Sequence, residues 1–297
     1  KLNGAGASFP AAIYQRWFQE LQPEGVTVNY QSVGSGAGVR QFIAKTVDFG
    51  ASGAPMRPAD IAKVEQGVLQ IPMTAGAIAV AYNLEGCDLK LSTEQLAGIF
   101  LGKIKNFSEL GCADQKLTVV HRSDGSVTTY NFTKHLSALS EEWKNGPGAA
   151  KSIKWPTGVG SKGNEGVAAQ LNQIPGGVGY VEAAYVKGKL QAAAVTNASG
   201  EQVKPTNETE SAALDAIDIG PDLIGGNPNP PEGYPIVTFT WVLAYETGNG
   251  DKTAALKKTF EFMLSEKAQS QAPELGYVSL PKGVVEKSLA AVEKISE

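Results

Sequence analysis

Residues 26–45 read VTVNYQSVGSGAGVRQFIAK, and the fold turns on how that stretch is parsed. Val26, Val28 and Tyr30 alternate with polar residues, as on a half-buried strand. The Gly-rich segment 34–38 interrupts the alternation, and residues 39–45 resume as a helix. Strand, glycine turn and helix in succession are the working parts of an α/β domain. The pattern continues outward. Residues 78–82 (IAVAY) are a continuous apolar run, suited to a buried strand of a parallel or mixed sheet. Ser92-Thr93-Glu94-Gln95 is a capping-box signature that opens a helix carrying Leu96, Ile99 and Phe100. Segments 117–120, 177–185 and 236–245 read as strands, and 127–139 as a helix. Leu256, Phe260 and Met263 fall at helical spacing, and 284–295 is a second amphipathic run. Between them, 225–235 is rich in Gly, Pro and Asn and reads as a loop.

The chain has 297 residues, which predicts two domains at roughly 150 residues each. Hydrophobic residues make up 42% and charged residues 19%, an ordinary globular balance. The formal net charge is -4, and no basic run exceeds the pair Lys257-Lys258. That argues against a nucleic-acid partner bound through a basic face. An anionic ligand would have to be held by local dipoles and hydrogen bonds. No stretch reaches the roughly 18–20 apolar residues of a membrane span. Lys1 leads straight into globular-looking sequence, as in a mature chain whose targeting segment has been removed. Cys87 and Cys112 flank one predicted helix and lie in Gly-flanked turns. Two cysteines make neither a zinc site nor a CxxC redox motif. The expectation is one structural disulfide formed in an oxidising compartment, and the alternative is two unrelated buried thiols.

Three segments share one design, a small hydroxyl residue at a predicted helix start beside glycines. They are 4–10 (GAGASFP, with Pro10 suited to the first helical position), 34–38 (GSGAG) and 122–128 (RSDGSVT). A helix N-terminus presents unpaired N–H groups and the positive end of the macrodipole, so it attracts anions. Glycine lets the backbone come close, and Ser and Thr add hydroxyl donors. Each segment alone is accounted for by an ordinary N-cap. Three together, one with an arginine, point to an oxyanion site.

With 47–55 (VDFGASGAP), 155–164 (WPTGVGSKGN) and 177–182 (GVGYVE), these segments make the chain resemble, nearly end to end, the phosphate-binding proteins of bacterial phosphate-uptake ABC transporters. The resemblance implies an α/β, two-lobed periplasmic-binding-protein type II fold with mixed sheets, a two-segment hinge and a central ligand cleft. Lobe I is then 1–75 plus 238–297, and lobe II is 76–237. By the same resemblance the anion's ligands are Ser8, Phe9, Ser35, Arg122, Ser126, Val127 (through its N–H) and Thr128. Asp124 orients and partly neutralises Arg122. One position departs from the family: Gly53 stands where the pattern has an aspartate that accepts the proton of the bound phosphate. A carboxylate there repels unprotonated anions such as sulfate, so its absence bears on discrimination while every donor position is kept. The implied function is capture of inorganic phosphate outside the cytoplasmic membrane and delivery to the permease subunits of an ABC transporter, by a monomer without cofactor or metal. A binder of arsenate or sulfate is the alternative.

Enzymatic use of the same site requires a nucleophile with a base, or a metal. Ser35 and Ser126 have no His or Lys evidently paired with them, and no Asp/Glu/His cluster has metal-ligand spacing. A phosphate-processing enzyme is therefore the distant reading. Residues 158–163 match a bare GxGxxG, but they do not sit between a clear strand and helix. His121 and His135 and the four tryptophans read as packing residues.

Overall fold

The computed structural model describes residues 1–297. The chain divides into two compact units, one of residues 1–75, 218–226 and 239–297, the other of residues 76–217 and 227–238.

The first unit begins β1 (Leu2–Gly6), α1 (Ala11–Leu21), β2 (Val28–Ser32), α2 (Ser35–Ile43), β3 (Phe49–Ser52), α3 (Pro58–Ile61) and the start of β4 (Val68–Tyr82). Strand β1 lies between β2 and β3, parallel to both. Its composition, LNGAG, follows from its neighbours. A Cβ at Gly4 would lie 2.2 Å from the Phe49 ring, and one at Gly38 would lie 2.5 Å from the Gly6 Cα. Helix α2 therefore packs backbone against backbone on β1, which glycine at position 38 permits, while Gly4 leaves room for the Phe49 ring. That contact brings the start of α2 to the C-terminal ends of β1 and β3, where parallel sheets bind ligands. The Val33 and Gly34 N–H groups both donate to Gly6 O, at 3.0 and 2.8 Å, and fix the turn. Helix α1 covers the sheet with Ile13, Tyr14, Trp17, Phe18 and Leu21, all buried. Pro10 caps α1 rather than opening it, and the helix starts at Ala11.

The second unit takes up the end of β4 and continues through β5 (Lys90–Leu91), α4 (Thr93–Phe100), β6 (Thr118–Arg122), α5 (Val127–Leu139), α6 (Glu141–Asn145), β7 (Val159–Ser161), α7 (Gly163–Gln173), β8 (Gly177–Glu182), β9 (Gln191–Ala192), β10 (Ala194–Thr196), β11 (Gln202–Val203) and α8 (Asn207–Asp215). Strand β6 runs parallel to β7 and β8, and β8 pairs antiparallel with β4. Strands β11, β10 and β5 form a small separate sheet. The expected capping box opens α4: Ser92 Oγ accepts the Gln95 N–H at 3.1 Å and Gln95 Oε1 accepts the Ser92 N–H at 3.0 Å. Strand β8 is buried on both faces. Val181 joins Val167 and Leu171 of α7 in one cluster, while Tyr180 stacks on Phe132 of α5, rings 4.6 Å apart. The strand read as 177–185 stops at Glu182, because residues 183–185 turn into a 3₁₀ helix that the Glu182 carboxylate caps through the Ala184 N–H.

The chain then completes the first unit with β12 (Val237–Tyr245) from Phe239 onward, antiparallel to β3, followed by α9 (Thr253–Met263), α10 (Glu266–Gln269) and α11 (Lys282–Glu293). One boundary differs from the expected lobes. Residues 218–226, read as part of the middle lobe, belong to the first unit. Trp241 Nε1 donates to Leu223 O at 2.9 Å and Lys287 Nζ to Ile219 O at 3.3 Å, so that loop is tied to β12 and α11.

Cys87 and Cys112 are bonded, with a sequence separation of 25. A loop of that length, closed covalently, adds about 3 kcal/mol by limiting the unfolded chain. Reducing the bond, or replacing both cysteines by alanine, is expected to lower the thermal midpoint by several degrees. An unchanged midpoint in circular dichroism melts with and without reductant would contradict this. A second expectation concerns acid groups inside the second unit. Glu182 is fully buried and Glu210 nearly so. Burial raises both carboxyls, Glu182 well above its usual range and Glu210 to about 8. A carboxyl with a raised pKa holds its proton more tightly folded than unfolded, so stability falls as pH climbs from the unfolded value to about 8. Glu210→Gln is expected to flatten that fall in denaturant titrations across this range, and an unaltered slope would refute it.

Candidate anion-binding site

In the first unit the turn after β1 carries Ser8 and Phe9. The first bonds of α1 run from the Ala11 N–H to Ser8 O (3.1 Å) and from the Tyr14 N–H to Pro10 O (3.0 Å). The Ser8 and Phe9 N–H groups thus precede the helical ladder, as orphan donors do. Phe9 is pinned from behind: its carbonyl accepts the Tyr277 O–H at 2.6 Å. Ser35 is the first residue of α2, and its Oγ accepts the Gly53 N–H at 3.1 Å. With that lone pair engaged, the Ser35 hydroxyl hydrogen is available to a ligand. Gly53 therefore has a part that the sequence comparison with the family pattern did not reveal. It supplies no carboxylate, and its backbone sets the serine as a donor. None of Ser8, Phe9, Ser35 and Gly53 carries a charge.

In the second unit Arg122 ends β6. Its Nε and Nη2 reach Asp124 Oδ1 and Oδ2 at 2.8 and 2.7 Å, a two-pronged ion pair. The Arg122 side chain is 4% exposed, and its third nitrogen, Nη1, is buried with no protein partner. Burial alone would raise the Asp124 carboxyl. The hydrogen bonds from Arg122 and from the Gly163 N–H, the latter at 3.2 Å, outweigh burial and hold it below the usual range. Asp124 thus stays ionised at neutral pH and balances the guanidinium charge.

Ser126 is the N-cap of α5. Its Oγ accepts the Thr129 N–H at 2.9 Å, and its own N–H is spent on Lys151 O at 2.8 Å. Ser126 can therefore serve a ligand only through its hydroxyl. Val127 and Thr128 occupy the first turn, where N–H groups have no partner within the helix. Thr128 Oγ1 accepts from Asn164 Nδ2 at 3.5 Å, and Asn164 Oδ1 accepts the Glu182 N–H at 3.0 Å. Each unit therefore gathers its own share of the residues read from the sequence, Ser8, Phe9, Ser35 and Gly53 in the first and Arg122, Asp124, Ser126, Val127 and Thr128 in the second. Sequence reading missed Asn164, Gly163, Thr129 and Tyr180 as supports. The first two lie inside the segment 155–164, and Tyr180 lies inside 177–182.

A family model described as the PBP superfamily domain matches residues 1–267. The phosphate-binding protein PstS of Pasteurella multocida is 40% identical over 306 residues, covering 96% of this chain and 88% of the relative. The phosphate-binding protein PstS of Methanocaldococcus jannaschii is 36% identical, covering 100% and 86%. Among solved structures, a high affinity periplasmic phosphate-binding protein bound with phosphate superposes with a TM-score of 0.81 at 21% identity, covering 98% of this chain and 93% of that one. A human phosphate binding apolipoprotein also gives 0.81, at 21% identity and 98% and 94% coverage. At that identity the structures speak for the fold.

Arg122→Ala is expected to weaken oxyanion affinity by more than about tenfold, since hydrogen bonds to charged groups contribute roughly 1.5–3 kcal/mol each. It also leaves Asp124 as an uncompensated negative charge. Ser8→Ala removes a hydroxyl and keeps the N–H, so a loss of only a few-fold is expected. Calorimetry with inorganic phosphate on both variants checks this, and equal losses would overturn the assignment.

Proposed function

The chain belongs to the PBP superfamily and, within it, to the family of the phosphate-binding proteins PstS, and from that membership we propose that it captures inorganic phosphate outside the cytoplasmic membrane and delivers it to an ABC transporter. One observation supports the reading above the rest. Arg122 offers a buried, unpartnered N–H from a guanidinium whose charge Asp124 already balances. A buried donor left without a partner is costly, and an oxyanion oxygen is the partner that fits. Ser8, Phe9 and Ser35 from one unit and Arg122, Ser126, Val127 and Thr128 from the other are the proposed donors, with Asp124 and Gly53 in support. The protein acts as a carrier and not as an enzyme, and works as a monomer that meets permease subunits. The disulfide fits an oxidising compartment, and no helix is long and apolar enough to cross a membrane.

Several charge-assisted bonds at roughly 1.5–3 kcal/mol each can exceed desolvation by the about −8.2 kcal/mol that micromolar affinity requires. Titration of phosphate-stripped protein is expected to show stoichiometric binding at micromolar affinity or tighter, and millimolar or absent binding would refute the reading. Gly53 bears on discrimination. With no carboxylate at that position, sulfate is expected to compete measurably against labelled phosphate at a pH where mono- and dianion coexist. Gly53→Asp is expected to sharpen rejection of sulfate with phosphate still bound. If the unaltered protein already ignores a large excess of sulfate, another acceptor fills the aspartate's place.

A further inference from the structure

Three hydroxyls of the second unit lie in a row behind Ser126. Ser126 Oγ is 2.8 Å from Thr129 Oγ1, which is 2.7 Å from Tyr180 Oη. All are buried, at 7%, 1% and 0% exposure. Both ends are pinned by backbone donors: the Thr129 N–H points into Ser126 Oγ (2.9 Å) and the Arg122 N–H into Tyr180 Oη (3.1 Å). Counting hydrogens then decides the direction of the row. Three hydroxyls carry three hydrogens, and there are two O···O contacts to fill. One hydrogen is left over, and unless both neighbours donate to Thr129 it leaves the row at an end.

In the structure Ser126 donates inward to Thr129. Continued in that sense, the row ends on the Tyr180 hydrogen. The partners of Tyr180 Oη are Thr129 and the Arg122 N–H, and the latter is itself a donor. That sense therefore strands a buried O–H, which is unfavourable. In the opposite sense Tyr180 donates to Thr129, Thr129 to Ser126, and the last hydrogen leaves at Ser126, beside the unpaired N–H groups of Val127 and Thr128. Burial pushes the Tyr180 phenol up to about 12, so it keeps its hydrogen at neutral pH. Its ring is held between Phe132 (4.6 Å, 10°) and Trp155 (5.3 Å, 24°). The Tyr180–Thr129 contact accepts a hydrogen from either side, whereas the Ser126–Thr129 contact is set for Ser126 to donate, so reversal also needs a small turn of the Thr129 hydroxyl.

We propose that an oxyanion reverses this row, so that Tyr180 and Thr129 act as positioning residues that make Ser126 an outward donor to the ligand. The proposal rests on the reading of the chain as a phosphate binder and adds two residues that never touch the anion. Hydrogen bonds in such a chain polarise one another, so cutting the chain behind Ser126 weakens its bond to the ligand.

The test is a double-mutant cycle read by calorimetry with inorganic phosphate, with thermal unfolding recorded for every variant. Tyr180→Phe and Thr129→Val are each expected to lower affinity about three- to tenfold, the range of one neutral hydrogen bond. Thr129→Ser, which keeps the hydroxyl, is expected to restore near-native affinity. On a Ser126→Ala background, Tyr180→Phe and Thr129→Val are expected to change affinity by less than about twofold, because residues acting through one another are not additive. If the alanine variant fails to fold for want of its cap, Ser126→Gly, a milder cap replacement, takes its place. Losses that multiply unchanged on that background would mean that Tyr180 and Thr129 only support the fold, and the relay would be wrong. Single variants with native affinity would equally overturn it. A native protein that does not bind phosphate would overturn the functional reading and the relay together, whereas binding with an additive cycle would overturn the relay alone.

Discussion

The pairing of Arg122 with Asp124 sets the terms for the rest of the site. It cancels the one positive charge among the proposed ligands, and it does so through Nε and Nη2, leaving Nη1 buried without a protein partner. An anion taken from water must recover its solvation from what remains, and what remains is dipoles: helix-terminal N–H groups and hydroxyls. That requirement explains why the chain spends glycines where it does. Gly38 lets α2 lie on β1 without a side chain between them, and so brings Ser35 to the strand ends, while Gly6, whose Cβ would meet Ala51 O at 2.0 Å, lets β1 lie against β3. It also agrees with a net charge of -4, since a chain that is negative overall cannot gather anions by bulk attraction.

Much of this was legible in the sequence because the signals are local. The Ser92–Gln95 capping box, the helix over Val127–Leu139 and the glycine turn before Ser35 are written within a few residues of where they act. The proposed donors carry local signals of the same kind: Ser35 opens α2, Arg122 ends β6 and Ser126 caps α5. What was not legible depends on contacts distant in sequence. Residues 218–226 look like part of the middle of the chain until Trp241 and Lys287 claim their carbonyls. Tyr180 lies 51 residues from Thr129, and Asn164 lies 36 from Thr128, so neither contact leaves a mark on local pattern. The end of β8 was misread because residues 183–185 (AAY) have strand-like composition, and only the Glu182 carboxylate turning back to the Ala184 N–H breaks the strand there.

The supports share one chemical habit that bears on which anions the site can hold. Three of the proposed hydroxyl ligands have a lone pair occupied by an N–H donor from the protein. Gly53 donates to Ser35, the Thr129 backbone to Ser126, and the Asn164 amide to Thr128. A hydroxyl so engaged has its hydrogen to give and less capacity to accept. The carboxylate of Asp124 is likewise taken, by Arg122 and by the Gly163 N–H. Within each unit these acceptors are thus engaged in orienting donors. Substituting glycine for aspartate at position 53 thus changes more than one side chain's charge. On the proposed reading the ligand meets one acceptor fewer, and anions are then told apart more by size and geometry than by protonation.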